Sequence, residues 1–370
     1  MTSSTDPQLF QPIQVGDVKL QHRIVMAPLT RFRADANHVP SPWAAEYYTQ
    51  RASVPGTLIV SEGTFIAEKA GGFDHVPGIW NHEQIEAWKK ITDAVHAKGS
   101  YIFCQLWALG RGANPKVLER LGLQYVSASD VPTPGSTIRP RSLTVEEIHE
   151  YTELYAQAAR NAVRAGFDGI EVHGANGYLV DQFLQDITNS RTDEYGGSIE
   201  NRSRFGLEVL GAISKAIGEK KTAIRLSPWE IVHGMGMKDP KPTFAYFVKT
   251  IKERFPDFAY IHTTEARVFA DGRQEREPPL PGQSNDFLRD VWAPKPLIVA
   301  GGFTRDLAVE AAAYDNVLVA FGRYFISNPD LPLRLKKNIP LSKYNRATFY
   351  TQGSEGYLDY PFSEETKALL

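Results

Sequence analysis

The feature that most constrains the fold is an alternation repeated eight times. Short apolar runs recur along the 370 residues at 24–29, 57–63, 101–106, 169–174, 222–227, 258–264, 296–302 and 317–322. Each is short and nearly continuous, which suits a strand covered on both faces. Helical patterns fall between them. Residues 83–98 place Ile85, Trp88, Ile91 and Val95 on one face. Thr144-Val145-Glu146-Glu147 reads as a capping box opening a second helix, whose apolar face is Ile148, Tyr151, Tyr155, Ala158, Ala159 and Ala162 and whose end is Gly166. Two more patterns cover 199–217 and 306–313. The alternation predicts an α/β fold, a (β/α)8 TIM barrel filling a single domain over residues 1–370. A doubly wound open sheet shares the alternation, and the length would also fit two ordinary domains. A β-hairpin at 9–20, centred on Val15-Gly16-Asp17-Val18, precedes the first strand and would plug the far end of a barrel. Two long loops, 107–141 and 264–285, follow the third and sixth strands. They therefore belong to the C-terminal face, where barrel sites form.

Charge and composition remove several classes of function. Lys plus Arg number 41 against 43 Asp plus Glu, a net charge of −2, which gives no general pull toward nucleic acid or anionic lipid. The single cysteine, Cys104, sits inside an apolar run and reads as a packed core atom, with no intramolecular disulfide open to it. No stretch of about 18 apolar residues suggests a membrane span. Residues 1–8 are polar and do not read as a signal peptide. The expectation is a soluble cytoplasmic enzyme, monomer or homodimer, acting on a small molecule with no nucleic-acid or membrane partner.

Chemistry collects at the strand ends. The fourth run closes on His173-Gly174-Ala175-Asn176-Gly177-Tyr178. Two neutral hydrogen-bond donors and a phenolic acid suit a substrate whose carbonyl is polarised while a neighbouring carbon takes a proton. The alternative is that His173 and Asn176 only satisfy backbone groups at a strand end. Other strand ends read Ala27-Pro28-Leu29-Thr30-Arg31, Ser61-Glu62-Gly63, Gln105-Leu106-Trp107, Ala300-Gly301-Gly302 and Phe321-Gly322-Arg323. Glycines on the last two strands let backbone N–H groups approach a phosphate, and Arg323 adds counter-charge. Taken alone, Gly301-Gly302 would also fit a structural turn. Gln105 and Arg225 point inward from their strands, where a cation can stabilise negative charge on a reduced heterocycle. The alternative for Arg225 is an ion pair with Glu171 inside the barrel. No metal site is expected, since His-x3-His spacing and a Cys cluster are both missing. No Gly-x-Gly-x-x-Gly follows a strand, so a Rossmann nicotinamide domain is unsupported. A cofactor-free lyase or aldolase barrel would need a Schiff-base lysine at a strand end, and none of the eight runs supplies one. A non-catalytic binding protein would leave the polar set without a purpose.

In these segments the chain resembles the Old Yellow Enzyme family of FMN-dependent ene-reductases. It is most similar to the fungal branch that includes enzymes acting on chanoclavine aldehyde in ergot alkaloid pathways. The resemblance runs over 9–362 and rests on Met26-Ala27-Pro28-Leu29-Thr30-Arg31, His173-Gly174-Ala175-Asn176-Gly177-Tyr178 and Asp181-Gln182-Phe183. It rests equally on Ser190-Arg191-Thr192-Asp193-Glu194-Tyr195-Gly196-Gly197-Ser198 with Asn201-Arg202, and on Ala320-Phe321-Gly322-Arg323-Tyr324. It implies FMN held at the isoalloxazine ring by Pro28, Leu29, Thr30, Gly63 and Gln105, with Arg225 near N1 and O2. It implies a phosphate site built from Ala300, Gly301, Gly302, Gly322 and Arg323. NADPH would be the transient hydride donor, and an α,β-unsaturated aldehyde or ketone the acceptor. His173 and Asn176 would grip the carbonyl oxygen, hydride would pass from flavin N5 to Cβ, and Tyr178 would protonate Cα. Trp107, Phe73 and Tyr350 would line the pocket. Many relatives carry Tyr where this chain has Phe73, which removes one hydroxyl contact. In the ergot branch, loss of the Tyr acid goes with isomerisation, so Tyr178 implies net reduction.

Overall fold

The computed structural model describes residues 6–267 and 280–368. Eight parallel strands form a closed ring: Ile24–Met26, Leu58–Val60, Tyr101–Trp107, Gly169–Gly174, Thr222–Leu226, Tyr260–Thr264, Leu297–Ala300 and Val317–Phe321. Each pairs with its neighbours in chain order. The eighth strand closes the ring on the first through Val319 with Ile24, Ala320 with Val25 and Phe321 with Met26. This is the TIM barrel, not the open sheet. The first strand stops at Met26 rather than 29, and residues 27–33 continue without regular structure outside the ladder.

Alternation along each strand separates two environments. Outward residues such as Ile102, Cys104, Leu106, Ile170, Val172, Ile224 and Ile261 pack with helix residues Trp88, Tyr155, Phe205 and Phe247. Cys104 lies in that outer layer, and burial pushes its thiol up to about 12, so it is chemically quiet. Inward residues Val25, Leu58, Phe103, Ala223, Tyr260, Ile298 and Leu318 fill the N-terminal half of the barrel. The hairpin Ile13–Val15 with Val18–Leu20 joins them through Val15, Val18 and Leu20, so it closes that end. Gly16, at φ +52, is required there: a Cβ would stand 2.0 Å from the Lys220 carbonyl oxygen. With one end plugged by apolar side chains, the polar inward residues, Gln105, Glu171, His173, Arg225 and His262, occupy the other half.

The helices follow the sequence pattern, with the 199–217 bounds unchanged and the others slightly shifted, at His82–His96, Val145–Arg164, Ile199–Ile217 and Arg305–Ala311. The loop 107–141 is partly ordered by a turn at Gly110–Gly112, a short helix Pro115–Arg120 and a two-residue strand Val126–Ser127 paired with Arg141–Ser142. In the loop 264–285, residues 268–279 lie outside the described residues. Among the described residues, no helix is long and apolar enough to cross a membrane.

The capping box at Thr144 is present. Glu147 N donates to Thr144 Oγ1 at 3.2 Å, and Thr144 N donates to Glu147 Oε2 at 2.9 Å. Arg141 grips the same carboxylate with two nitrogens, at 2.8 and 2.7 Å, and that pairing holds Glu147 down at about 2. Thr144→Ala removes one acceptor from a helix packed on the barrel. It should lower unfolding free energy by about 1 kcal/mol, read as a lower urea midpoint at unchanged slope. No shift in midpoint would mean that Arg141 and Glu147 hold this helix start alone.

Candidate active site

The C-terminal ends of the strands surround a cavity of about 590 Å³. Pro28, Leu29 and Thr30 line it from the first strand's extension, Gln105 and Trp107 from the third strand, and His173, Asn176 and Tyr178 from the fourth. Arg225 enters from the fifth, and Ala300, Gly301, Gly302, Gly322 and Arg323 from the seventh and eighth. Phe73 and Tyr350 complete the mouth. Gly63 does not line the cavity. It lies behind Trp107, where a Cβ would come 2.5 Å from the indole Cε3, so its contribution is the room it leaves.

Beneath the cavity lies a charged network. Glu171 is fully buried, accepts from Gln105 Nε2 at 2.8 Å and pairs with His262 Nδ1 at 2.9 Å. Burial opposes its charge, but His262, Arg225 and Gln105 together hold the carboxyl below its usual range. Burial keeps the His262 imidazole below its ordinary value. Arg225 therefore balances Glu171 from the adjacent strand. It does not form the direct ion pair considered from sequence: Arg225 makes no hydrogen bond or ion pair with any described residue, and its Nε is buried without a partner. A guanidinium in this state offers its donors to whatever fills the cavity.

His173, Asn176 and Tyr178 converge around Trp107. The imidazole of His173 stacks on the indole at 5.7 Å and 14°. The phenol ring of Tyr178 stands edge-on to both, at 4.7 Å from Trp107 and 4.9 Å from His173. The main-chain N–H of Ala175 points at His173 Nδ1 from 3.4 Å, which leaves Nε2 as the ring's donor. Burial, then Arg225 and His262, hold His173 well below the ordinary imidazole value. Burial, then Tyr350 and Glu230, raise Tyr178, so the phenol keeps its proton. Asn176 is buried, sits at φ +58, donates its N–H to Ser227 Oγ at 2.7 Å, and has an unpartnered Oδ1. Asp181 shapes this turn by accepting from Gly177 N at 2.9 Å. Burial pushes Asp181 up to about 7.

Two parts of the wall were not anticipated from sequence. Phe32, at φ +54, turns its ring between Phe73 and Tyr350, with centroids 6.0 and 5.6 Å away. The C-terminal segment 344–357 adds Tyr344, Arg346 and Phe349 to the cavity lining beside Tyr350. It is tied down by buried arginines. Arg31 Nε donates to Phe349 O at 3.0 Å and its Nη2 to Gly356 O at 2.8 Å. Arg33 Nε donates to Gly353 O at 2.7 Å. Backbone carbonyls leave no mark on sequence, which is why Tyr350 alone of this segment was expected in the wall.

The residues around the cavity fit a flavin mononucleotide. Its volume lies in the range of ordinary cofactor sites. The unpartnered Arg225 matches the acceptor edge of the ring. Gly301 and Gly302 adopt φ +131 and +62, conformations that glycine takes without strain, at the strand end beside Arg323. Among the described residues, no His, Cys, Asp and Glu side chains group to hold a metal ion.

Comparison with known proteins agrees with this geometry. The profile of the NADH:flavin oxidoreductase / NADH oxidase family matches residues 8–342. The chain is 51% identical to the NADP-dependent oxidoreductase lnbE of Aspergillus flavus, over 98% of each chain. It is 50% identical to the chanoclavine-I aldehyde reductase fgaOx3 of Penicillium roqueforti, over 97% of each. Its backbone matches the crystal structure of Old Yellow Enzyme from Pichia sp. AKU4542 with a TM-score of 0.88 and 37% identity, covering 97% of this chain and 94% of the other.

Because its folded value lies well below the ordinary 6.5, His173 stays a neutral donor as pH falls through that value. Turnover of a neutral enal between about pH 8 and pH 5.5 should show no break near 6.5 that belongs to His173. A break there that His173→Asn removes would contradict the assignment.

Proposed function

Because the chain belongs to the NADH:flavin oxidoreductase / NADH oxidase family, an oxidoreductase family whose cofactor is FMN, we propose that it is an NADPH-dependent ene-reductase. It reduces the activated C=C bond of α,β-unsaturated aldehydes and ketones. The NADPH preference draws on the relative named as NADP-dependent, and the carbonyl substrate on the relative named as an aldehyde reductase. One barrel domain over 1–370 carries the whole reaction. The observation that carries the reading is the convergence of a neutral imidazole, an Asn amide and a protonated phenol on one wall of a cavity that also holds an unpartnered guanidinium.

FMN, when bound, supplies the hydride, taken from NADPH and given to the substrate Cβ. Pro28, Leu29, Thr30 and Gln105 would hold its ring, with Arg225 at the acceptor edge. Gly63 would act through the placement of Trp107. Ala300, Gly301, Gly302, Gly322 and Arg323 would hold the phosphate. His173 and Asn176 orient the substrate by donating to its carbonyl oxygen, and they stabilise the charge that grows there during reduction. One such donor contributes about 3 kcal/mol in a shielded site. Tyr178 delivers its proton to Cα. A phenol pushed above its usual range holds that proton until a strongly basic carbon is presented, which suits an acid used only once the carbanion-like charge has formed. Trp107, Phe73 and Tyr350 hold the carbon skeleton and keep water from the reacting carbons. Tyr178 in this position favours net reduction over isomerisation.

Tyr178→Phe separates the roles. Reduction of the enzyme by NADPH does not use the phenolic proton and should stay within about twofold of wild type. Oxidation of the reduced enzyme by a simple enal should slow by about 10²-fold or more, the scale of a lost general acid. Stopped-flow absorbance reads both steps. Equal slowing of the two would make Tyr178 a wall of the pocket and not the acid.

A further inference from the structure

The loop after the fifth strand presses His233 against two of the residues assigned to the substrate. His233 Nδ1 lies 3.0 Å from the Asn176 carbonyl oxygen, and since that oxygen can only accept, Nδ1 carries the proton. The same ring stands against Tyr178, with centroids 5.2 Å apart and planes at 62°. Tyr178 is thus held between Trp107 on one side and His233 on the other.

The contact is built with care on both sides. His233 adopts φ +59 and ψ +22, a left-handed conformation that a non-glycine residue keeps only where its surroundings enforce it. Its own carbonyl accepts from Arg111 Nη2. Arg111 is buried and also donates to the Val131 and Pro132 carbonyls, at 3.0 and 3.1 Å, so it ties the His233 loop to the loop after the third strand. Glycines clear the space on either side. A Cβ on Gly177 would come 2.9 Å from His233 Cβ, and one on Gly112 would come 2.9 Å from the Tyr178 ring. Asn176, the recipient of the hydrogen bond, is itself left-handed at φ +58.

We propose that His233 is a positioning residue for the reaction. Its Nδ1–H fixes the Asn176 main chain, and with it the aim of the Asn176 amide, while its ring keeps the Tyr178 phenol upright against Trp107. His233 itself touches neither transferred hydrogen. The inference rests on the roles given to Asn176 and Tyr178 above. Burial keeps the imidazole neutral, in line with a donor that does not exchange protons with substrate.

The two contacts come apart in two variants. His233→Asn keeps a donor that can reach the Asn176 carbonyl and removes the ring beside Tyr178. His233→Phe keeps a ring and removes the donor. Three readouts are taken on the FMN-loaded proteins: the dissociation constant for 4-chlorophenol, whose oxygen tests the grip of Asn176; the rate at which cinnamaldehyde oxidises the reduced enzyme; and the rate of reduction by NADPH. His233→Asn should bind 4-chlorophenol within about twofold of wild type and slow cinnamaldehyde reduction by about tenfold. His233→Phe should weaken 4-chlorophenol by about three- to tenfold, the reach of one neutral hydrogen bond. NADPH reduction and FMN retention should be unchanged in both. Equal losses in all three readouts, or none in any, would overturn the inference and leave His233 a packing residue. A wild type that neither binds the phenol nor reduces the enal would overturn the reading of the site and this inference with it. A competent wild type whose variants behave alike would overturn this inference alone.

Discussion

A carboxylate in the middle of a barrel has to be answered from several sides, and the upper half of this one is arranged around Glu171. Gln105 reaches it from the third strand, His262 from the sixth, and Arg225 supplies the opposite charge from the fifth. Taking a carboxylate out of water costs several kcal/mol unless hydrogen bonds and charge replace the lost hydration. The arrangement meets that need without closing a direct Arg–Glu pair. Arg225 balances the charge at a distance and keeps its donors for the cavity. Had the two closed on each other, Arg225 would have spent donors on Glu171 that now face the cavity. A long-range balance thus lets one barrel interior be both stable and ready to hold an electron-rich ring.

The opposite wall depends on cations of another kind. Arg31, Arg33 and Arg51 are buried and donate mainly to backbone carbonyls of 348–357 and to Ile326. Their planes lie over Tyr47 and Tyr357, which stack on each other at 4.0 Å. Guanidinium groups suit this task because their several fixed donors can serve several carbonyls at once while their faces pack on aromatic rings. A segment with almost no regular structure becomes a firm wall. On the substrate side, burial keeps His173 neutral and Tyr178 protonated.

How far the sequence could be read follows from which interactions leave a pattern. Barrel strands buried on both faces produce continuous apolar runs, so all eight were legible, though the ladder stops at Met26 where 29 was expected. The hairpin was legible because its tight turn needs Gly16. Sixteen of the seventeen expected site residues line one cavity, since strand ends converge once the barrel closes. Gly63 is the one that does not, because absence of a side chain can serve a neighbour as well as a ligand. Phe32, His233 and, apart from Tyr350, the 344–357 segment were not legible. Their placement depends on left-handed backbone at Phe32 and His233 and on carbonyl acceptors in the segment, neither of which has a residue signature. The order within 107–141 was missed for a related reason: its helix is six residues long, below the length at which periodicity shows.

The proposed function requires this cavity to bind FMN and pass reducing power from NADPH to an activated alkene. The most direct measurement is the absorbance spectrum of the purified protein, recorded anaerobically before NADPH, after NADPH, and after a following addition of cinnamaldehyde, with the flavin then released by heat and identified by chromatography. An ene-reductase of this kind is yellow, bleaches with NADPH, regains its colour with the enal, and releases FMN. Release of FAD, a colourless protein that does not take up FMN, or a bleached enzyme that the enal fails to reoxidise would contradict the proposed function.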